Sequence, residues 1–213
     1  MKPTPRTQLV RKPDRGSYDR ATVHAILDEG LICHLGFAVE GQPYVLPTTH
    51  ARIEDRLYVH GSVASRMLKT LKGGTPVCVT VTLIDGLVLA RSAFHTSMNY
   101  RSVVILGAAS EVTDLEHKRS AFNALVEHIL PGRGAHIRAP SDHEMSATSV
   151  LCLPITEASA KARTGGPVEA EADYALPCWA GVVPLSVQAQ APIPDARLAP
   201  DTPLPHEVAF YTR

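Results

Sequence analysis

The sequence predicts a mainly β protein, a barrel or sandwich of short antiparallel strands with a few flanking helices. Three observations lead there. Apolar runs of strand length recur between turn signals such as Glu40-Gly41 and Asp85-Gly86. Helical periodicity is confined to a few segments. Neither GxGxxG nor GxxxxGK[ST] occurs, so nothing indicates a doubly wound nucleotide-binding domain.

Residues 1–16 are rich in Pro and basic residues and predict an extended N-terminal arm. A main domain over 17–188 and a Pro-rich tail over 189–213 follow. Asp19 has the chemistry of a helix N-cap. Val23, Ile26 and Leu27 then form an apolar helical face, and Gly30 stops the helix. LICHLGFAV, the turn Glu40-Gly41 and QPYVLPTTHAR make a hairpin. Pro47 within the second strand marks it as an edge or a bulge, because proline cannot donate to a ladder. IEDR is the next turn and LYVHG the next strand. VASRMLKTL reads as a helix beginning near Val63, capped by Ser62 and ended by Gly73-Gly74.

TPVCVTVTLI and GLVLARSAF predict a second hairpin around Asp85-Gly86. SVVILGAASEV is a further strand in which Gly107 marks a bulge or a close backbone approach. From Asp114 the spacing of Leu115, Ala121, Phe122, Leu125, Val126 and Ile129 predicts a helix, ended by Pro131-Gly132. ATSVLCLPI returns to strand, EASAKARTGGP reads as a short helix or loop, and CWAGVVPLSV is the last strand.

Composition excludes several function classes. Of 213 residues, 45% are hydrophobic and 20% charged, as in a globular chain with a full core. Lys+Arg and Asp+Glu both number 21, which argues against a nucleic-acid footprint or a polybasic membrane surface. The N-terminus has cations but no apolar h-region, and no apolar run approaches a membrane span. None of the four cysteines forms CxxC, and three lie in apolar runs, so they read as buried reduced thiols in a cytoplasmic protein. The ten histidines show no HxxxH or HExxH, so no metal site is expected. GxSxG is also missing, which leaves a serine hydrolase without support.

Four stretches carry candidate chemistry. In residues 57–74, His60, Gly61, Ser62, Ser65 and Arg66 bring hydroxyls, a cation and free helix N–H groups to a strand-to-helix corner, where an anion such as phosphate is accommodated. Taken alone, the stretch reads first as a capped surface helix. In RSAFHTSMNYRSVVILG, polar residues including Tyr100, Arg101 and Ser102 cluster between two apolar strands, more donors than a simple hairpin turn needs; the segment reads equally as a long exposed loop or as a set of anion contacts. Pro47, Thr48 and Thr49 offer backbone and hydroxyl groups to a heterocycle or, as the commoner case, simply fill a strand with β-branched side chains. Trp179, the single tryptophan, stacks on a flat ligand or, as the commoner use, fills the core.

Taken together, EGLICHLGF, GQPYVLPT, LYVHGSVASRML, the SMNYRSVVILG segment, EHILPGR and WAGVVPL resemble the pyridoxamine 5′-phosphate oxidase-like flavoproteins of the FMN-binding split-barrel superfamily. The branch of similarity is the flavin-nucleotide-binding group, neighbours of the nitroimidazole-reductase (Nim) proteins. The resemblance implies a six-stranded antiparallel split barrel, a homodimer, and FMN, with FAD as the alternative, in an interface cleft. It implies that His60, Gly61, Ser62, Ser65 and Arg66 hold the phosphate and that Pro47, Thr48 and Thr49 line the isoalloxazine ring. Tyr100, Arg101 and Ser102 would complete the phosphate and ribityl contacts, and Trp179 would reach the flavin from the second subunit. The function this points to is an FMN-dependent oxidoreductase acting on a small molecule, without nucleic-acid or membrane partners. A non-catalytic flavin-storage protein and a haem-binding or haem-degrading protein on the same barrel are the alternatives.

Overall fold

The computed structural model describes residues 1–212. Strand pairing organises them into two antiparallel sheets. In the larger, seven-stranded sheet the path runs β1 (Gly16–Ser17), β10 (Ala158–Arg163), β7 (Ser97–Ala108), β6 (Pro76–Leu89), β2 (Ile32–Val39) and β3 (Gln42–Thr49). Off that path, β11 (Gly181–Pro184) pairs with β6. The second sheet runs β4 (Ala51–Ile53), β5 (Arg56–Ser62), β9 (Thr148–Pro154) and β8 (Ser110–Glu111). Around them lie α1 (Arg20–Glu29), α2 (Arg66–Leu71), α3 (Leu115–Ile129), α4 (Asp142–Ala147) and α5 (His206–Ala209). The expected mainly β architecture with flanking helices is therefore present.

Period-two patterning decides which faces pack. Cys33, Leu35 and Phe37 of β2, Val77, Val79 and Val81 of β6, and Val103 and Ile105 of β7 point to one core. Val23, Ile26 and Leu27 of α1 and Met67, Leu68 and Leu71 of α2 close it. The second sheet is apolar on both faces. Leu57, Val59, Leu151 and Leu153 face the main core, while Tyr58, Val150 and Cys152 face away, onto Ala121 and Phe122 of α3. Gly107 of β7 lies where a Cβ would come within 2.9 Å of Leu153 Cδ1, so the close approach expected there is real.

The predicted helix signals hold at two sites. Asp19 accepts from the Thr22 amide and Asp114 from the His117 amide, each capping its helix. The two-residue turn Glu40-Gly41 has φ of 51° and 81°, the left-handed pair that a tight hairpin requires. β3 lies at the end of the sheet path, the edge position that Pro47 predicts.

Other expectations are corrected. Asp85-Gly86 is not a hairpin turn: β6 runs through it, with a bulge between Ile84 and Gly86. Tertiary contacts override the turn signal, since β11 packs over Gly86 so closely that a Cβ would meet the Val183 carbonyl at 3.0 Å. EASAKARTGGP supplies β10, a strand held by pairing with β7. SMNYRSV belongs to β7 and is not a loop. The helix after β5 is capped by Ser65, not Ser62, and starts at Arg66. Of the cysteines in apolar runs, Cys33 and Cys152 are buried and Cys78 is half-buried, while Cys178 is exposed; all four are free thiols. Trp179 does not fill the core; it is 68% exposed. The N-terminal arm is tied to the body through Thr4 and Arg6, both bonded to Glu157.

Candidate functional site

The β5-to-α2 corner gathers Gly61, Ser62, Ser65 and Arg66. Ser62 Oγ accepts from the Ala64 amide at 3.2 Å, and the Ser62 carbonyl accepts from the Ser65 amide at 2.9 Å, which tightens the turn. Ser65 then caps α2, and Arg66 is its first residue. Gly61 faces α2: a Cβ there would lie 3.6 Å from Leu68. Arg66 is exposed and leans onto β3. Its Nη1 donates to Tyr44 Oη at 3.3 Å, and its guanidinium carbon sits 5.7 Å from the Tyr44 ring centroid. Among the described residues it has no carboxylate partner, so its charge is open to an anion.

β3 brings Pro47, Thr48 and Thr49 beside this corner, opposite His34, Cys33 and Ile32 of β2. Thr48 shares the inward face with Tyr44, and Pro47 lies about 10 Å along the strand from Tyr44. One flank of β3 pairs with β2, and no further strand of the sheet pairs with the other, so its backbone groups there are free for a ligand.

His60 goes elsewhere. Alternation along β5 turns it away from the main core, and its ring packs 5.7 Å from Phe122 of α3. Burial lowers its pKa, and its Nδ1 is buried without a hydrogen-bond partner. It therefore does not stand with Ser65 and Arg66 in the single chain.

Tyr100, Arg101 and Ser102 lie in β7, three strands from β3 and thus about 14 Å away across the sheet. Arg101 is already committed: its guanidinium bonds Glu29 Oε1 at 2.7 Å and Asp85 Oδ1 at 2.8 Å. These hydrogen bonds, to Glu29 first and Asp85 second, raise its pKa and hold it protonated, and the two carboxylates compensate its charge. Ser102 Oγ donates to the Lys161 carbonyl at 3.3 Å. Trp179 stands just before β11, at the end of the sheet where Gly181 pairs with Leu89. Within one chain, then, Tyr44 of β3 meets Arg66 of α2, Pro47, Thr48 and Thr49 lie further along the same strand, and the β7 residues and Trp179 stand on other parts of the sheet.

Three features escape sequence reasoning. Tyr44 positions Arg66, a contact across 22 residues that no local pattern encodes. Arg163 is buried and bonds only neutral acceptors, Asn99 Oδ1 at 2.6 Å and the carbonyls of Gly165 and Gly166. An open cleft of about 370 Å³ is lined by Phe122, Arg138, Pro140, Glu144 and Thr148. Among the described residues there is no group of three or more His, Cys, Asp or Glu that could hold a metal ion.

Comparison with known proteins agrees with the mainly β fold. No curated protein matches the chain. The flavocytochrome Anf3 from Azotobacter vinelandii superposes with a TM-score of 0.91 at 43% identity, over 97% of this chain and 96% of that one. The FAD and heme binding protein from Mycobacterium smegmatis superposes with a TM-score of 0.88 at 37% identity, over 91% and 95%. A candidate 5-nitroimidazole antibiotic resistance protein from Bacteroides thetaiotaomicron shares the fold at 24% identity and a TM-score of 0.57, over 69% and 86%. The family model described as pyridoxamine 5′-phosphate oxidase matches residues 19–162, which span the edge strand, the cation corner and most of both sheets. The chain belongs to the pyridoxamine 5′-phosphate oxidase family and has its split-barrel fold.

Proposed function

We propose that the chain is a flavin-dependent redox protein whose flavin phosphate is held at the β5-to-α2 corner. The observation that carries this reading is Arg66, a cation without a carboxylate, held beside two serines and the free edge of β3. Its fork suits phosphate, and the edge backbone suits the polar rim of an isoalloxazine ring. Arg66, Ser62 and Ser65 take the phosphate end, and Pro47, Thr48 and Thr49 the ring. A bound flavin supplies the electron-accepting chemistry; the chain's residues bind and orient it.

A homodimer is part of this reading, since the β7 residues lie three strands from β3 within one chain. Tyr100, Ser102 and Trp179 meet the ligand only if a second copy brings them to this edge. Arg101, neutralised within its own chain, keeps a structural role. Two relatives matched over more than nine-tenths of this chain are a flavocytochrome and an FAD and heme binding protein, and the second name favours FAD over FMN. No described helix is long and apolar enough to cross a membrane, and with balanced charge we assign the chain to the cytoplasm, without nucleic-acid partners. Its substrate is a small molecule.

The test is the visible spectrum of the purified protein, after loading with FAD or FMN and gel filtration. Retained flavin bands are expected, followed by bleaching on anaerobic addition of NADH or NADPH. Loss of all flavin on the column overturns the reading. Retained flavin that no nicotinamide reduces points instead to a storage protein.

A further inference from the structure

The chain exposes more surface than a compact fold of its size. Its accessible area is 13086 Å², whereas a compact monomer of 22.9 kDa exposes about 9,600 Å². The excess of about 3,500 Å² is larger than the roughly 1,000–2,500 Å² that each subunit of a permanent dimer buries. Two parts of the molecule hold apolar side chains in that surface: the C-terminal segment and the outer face of the seven-stranded sheet.

From Val183 to Leu204 every residue is exposed. Val187 is 82% and Ile193 92% exposed. Yet the segment is not composed like a free linker. Between Ser186 and Leu204 only Asp195, Arg197 and Asp201 are charged, and most of the rest is Ala, Pro, Val, Ile and Leu; chain that stays in water is richer in charge. Both ends are fixed on the same chain. The Leu185 amide donates to the Asp85 carbonyl at 3.1 Å. Beyond Pro205, α5 brings Glu207 to 3.8 Å from Arg133 Nη1 and from His136 Nε2. Between these anchors the segment makes local turns, Leu198 onto Asp195 and Thr202 onto Ala199, and its aliphatic side chains stay in water.

The sheet face is the second uncovered part. Cys33 and Leu35, Val79 and Val81, and Val103 and Ile105 face the core. Alternation therefore turns Ile32 of β2, Ile84 of β6 and Met98 of β7 outward. Val183 of β11 stands in one row with Met98, since both lie opposite Leu87. All four are exposed. One chain thus carries an uncovered apolar sheet face and an uncovered apolar segment, the self-complementary pair that a two-fold dimer closes. We propose that residues 185–204 form a belt across the outer sheet face of a second copy, so that two reciprocal belts hold the homodimer together. This rests on the homodimer in the reading above and names what closes it. It brings the second copy onto the face where alternation also places Tyr100 and Ser102.

The experiment is analytical ultracentrifugation of the purified full chain from micromolar to nanomolar concentration, with circular dichroism to confirm that each variant is folded. Wild type should sediment as a dimer. Val187→Asp combined with Ile193→Asp should weaken the dimer at least about 100-fold, because two-fold symmetry puts each new charge into the interface twice. Ile84→Asp, on the sheet face, should weaken it in the same direction. Ile193→Leu should match wild type, and so should Val10→Asp, which charges an exposed valine of the N-terminal arm. A dimer as tight as wild type in the Val187→Asp, Ile193→Asp variant overturns the belt and leaves the homodimer standing. An equal loss in Val10→Asp also overturns it. A monomeric wild type overturns the belt and the homodimer together, while flavin bands retained by that monomer leave the phosphate corner in place.

Discussion

Replacing Arg66 with alanine separates binding from folding. In the structure the Arg66 side chain is exposed and meets Tyr44 through one 3.3 Å hydrogen bond and a cation–π contact at 5.7 Å. An exposed contact of this kind contributes about 0.5 to 1 kcal/mol, so the fold should lose no more than that. A charge-assisted hydrogen bond to phosphate contributes about 1.5 to 3 kcal/mol, which corresponds to roughly a 10- to 150-fold loss of flavin affinity. Titration of the apoprotein with FAD and with FMN, followed by quenching of flavin fluorescence, measures the loss; thermal melts measure the stability. Arg66→Lys should fall between, because it keeps the charge but loses the fork. A dissociation constant within twofold of wild type, in a variant that melts normally, would refute the phosphate assignment.

Other substitutions probe the remaining architecture. Arg101→Gln leaves Glu29 and Asp85 facing each other and should cost about 1 to 2 kcal/mol in urea denaturation, with flavin affinity unchanged; the reverse pattern would mean that Arg101 serves the ligand. Gly30→Ala drives a Cβ to 2.3 Å from Val81 Cγ1, and such overpacking should cost about 1 to 3 kcal/mol, lowering the melting temperature by several degrees. Burial depresses the pKa of His60, so the unfolded chain takes up its proton first, near the ordinary value of about 6.5. Stability from this group is full above that pH and is lost as pH falls through the folded value; His60→Gln should flatten that limb in urea midpoints taken between about pH 7.5 and 5. Burial pushes the Cys33 thiol up to about 12, so a chromogenic disulfide reagent should label exposed Cys178 in the native protein and Cys33 only after denaturation.

The sequence by itself determined the class of the fold and most of its punctuation. Asp19 and Asp114 cap helices because their short carboxylates reach the third amide beyond them, a purely local geometry. Glu40-Gly41 makes a tight hairpin because its backbone takes left-handed angles, and glycine tolerates them freely. Pro47 marked an edge because it has no N–H to donate. Local signals failed where distant chain supplied the decisive partner. Asp85-Gly86 carries the dipeptide of a hairpin turn, yet β11, nearly a hundred residues away, packs on it and keeps β6 running as a bulged strand. SMNYRSV looked like a donor-rich loop, but β6 pairs with all of it and β10 with it from Tyr100 onward, which consumes backbone groups. The candidate site divides in the same way. The serines and Arg66 were legible because a strand-to-helix corner is local. Tertiary structure alone decided that Tyr44 holds Arg66, that Glu29 and Asp85 neutralise Arg101, and that His60 turns toward Phe122, because charge compensation and side-chain facing depend on which elements pack against a strand.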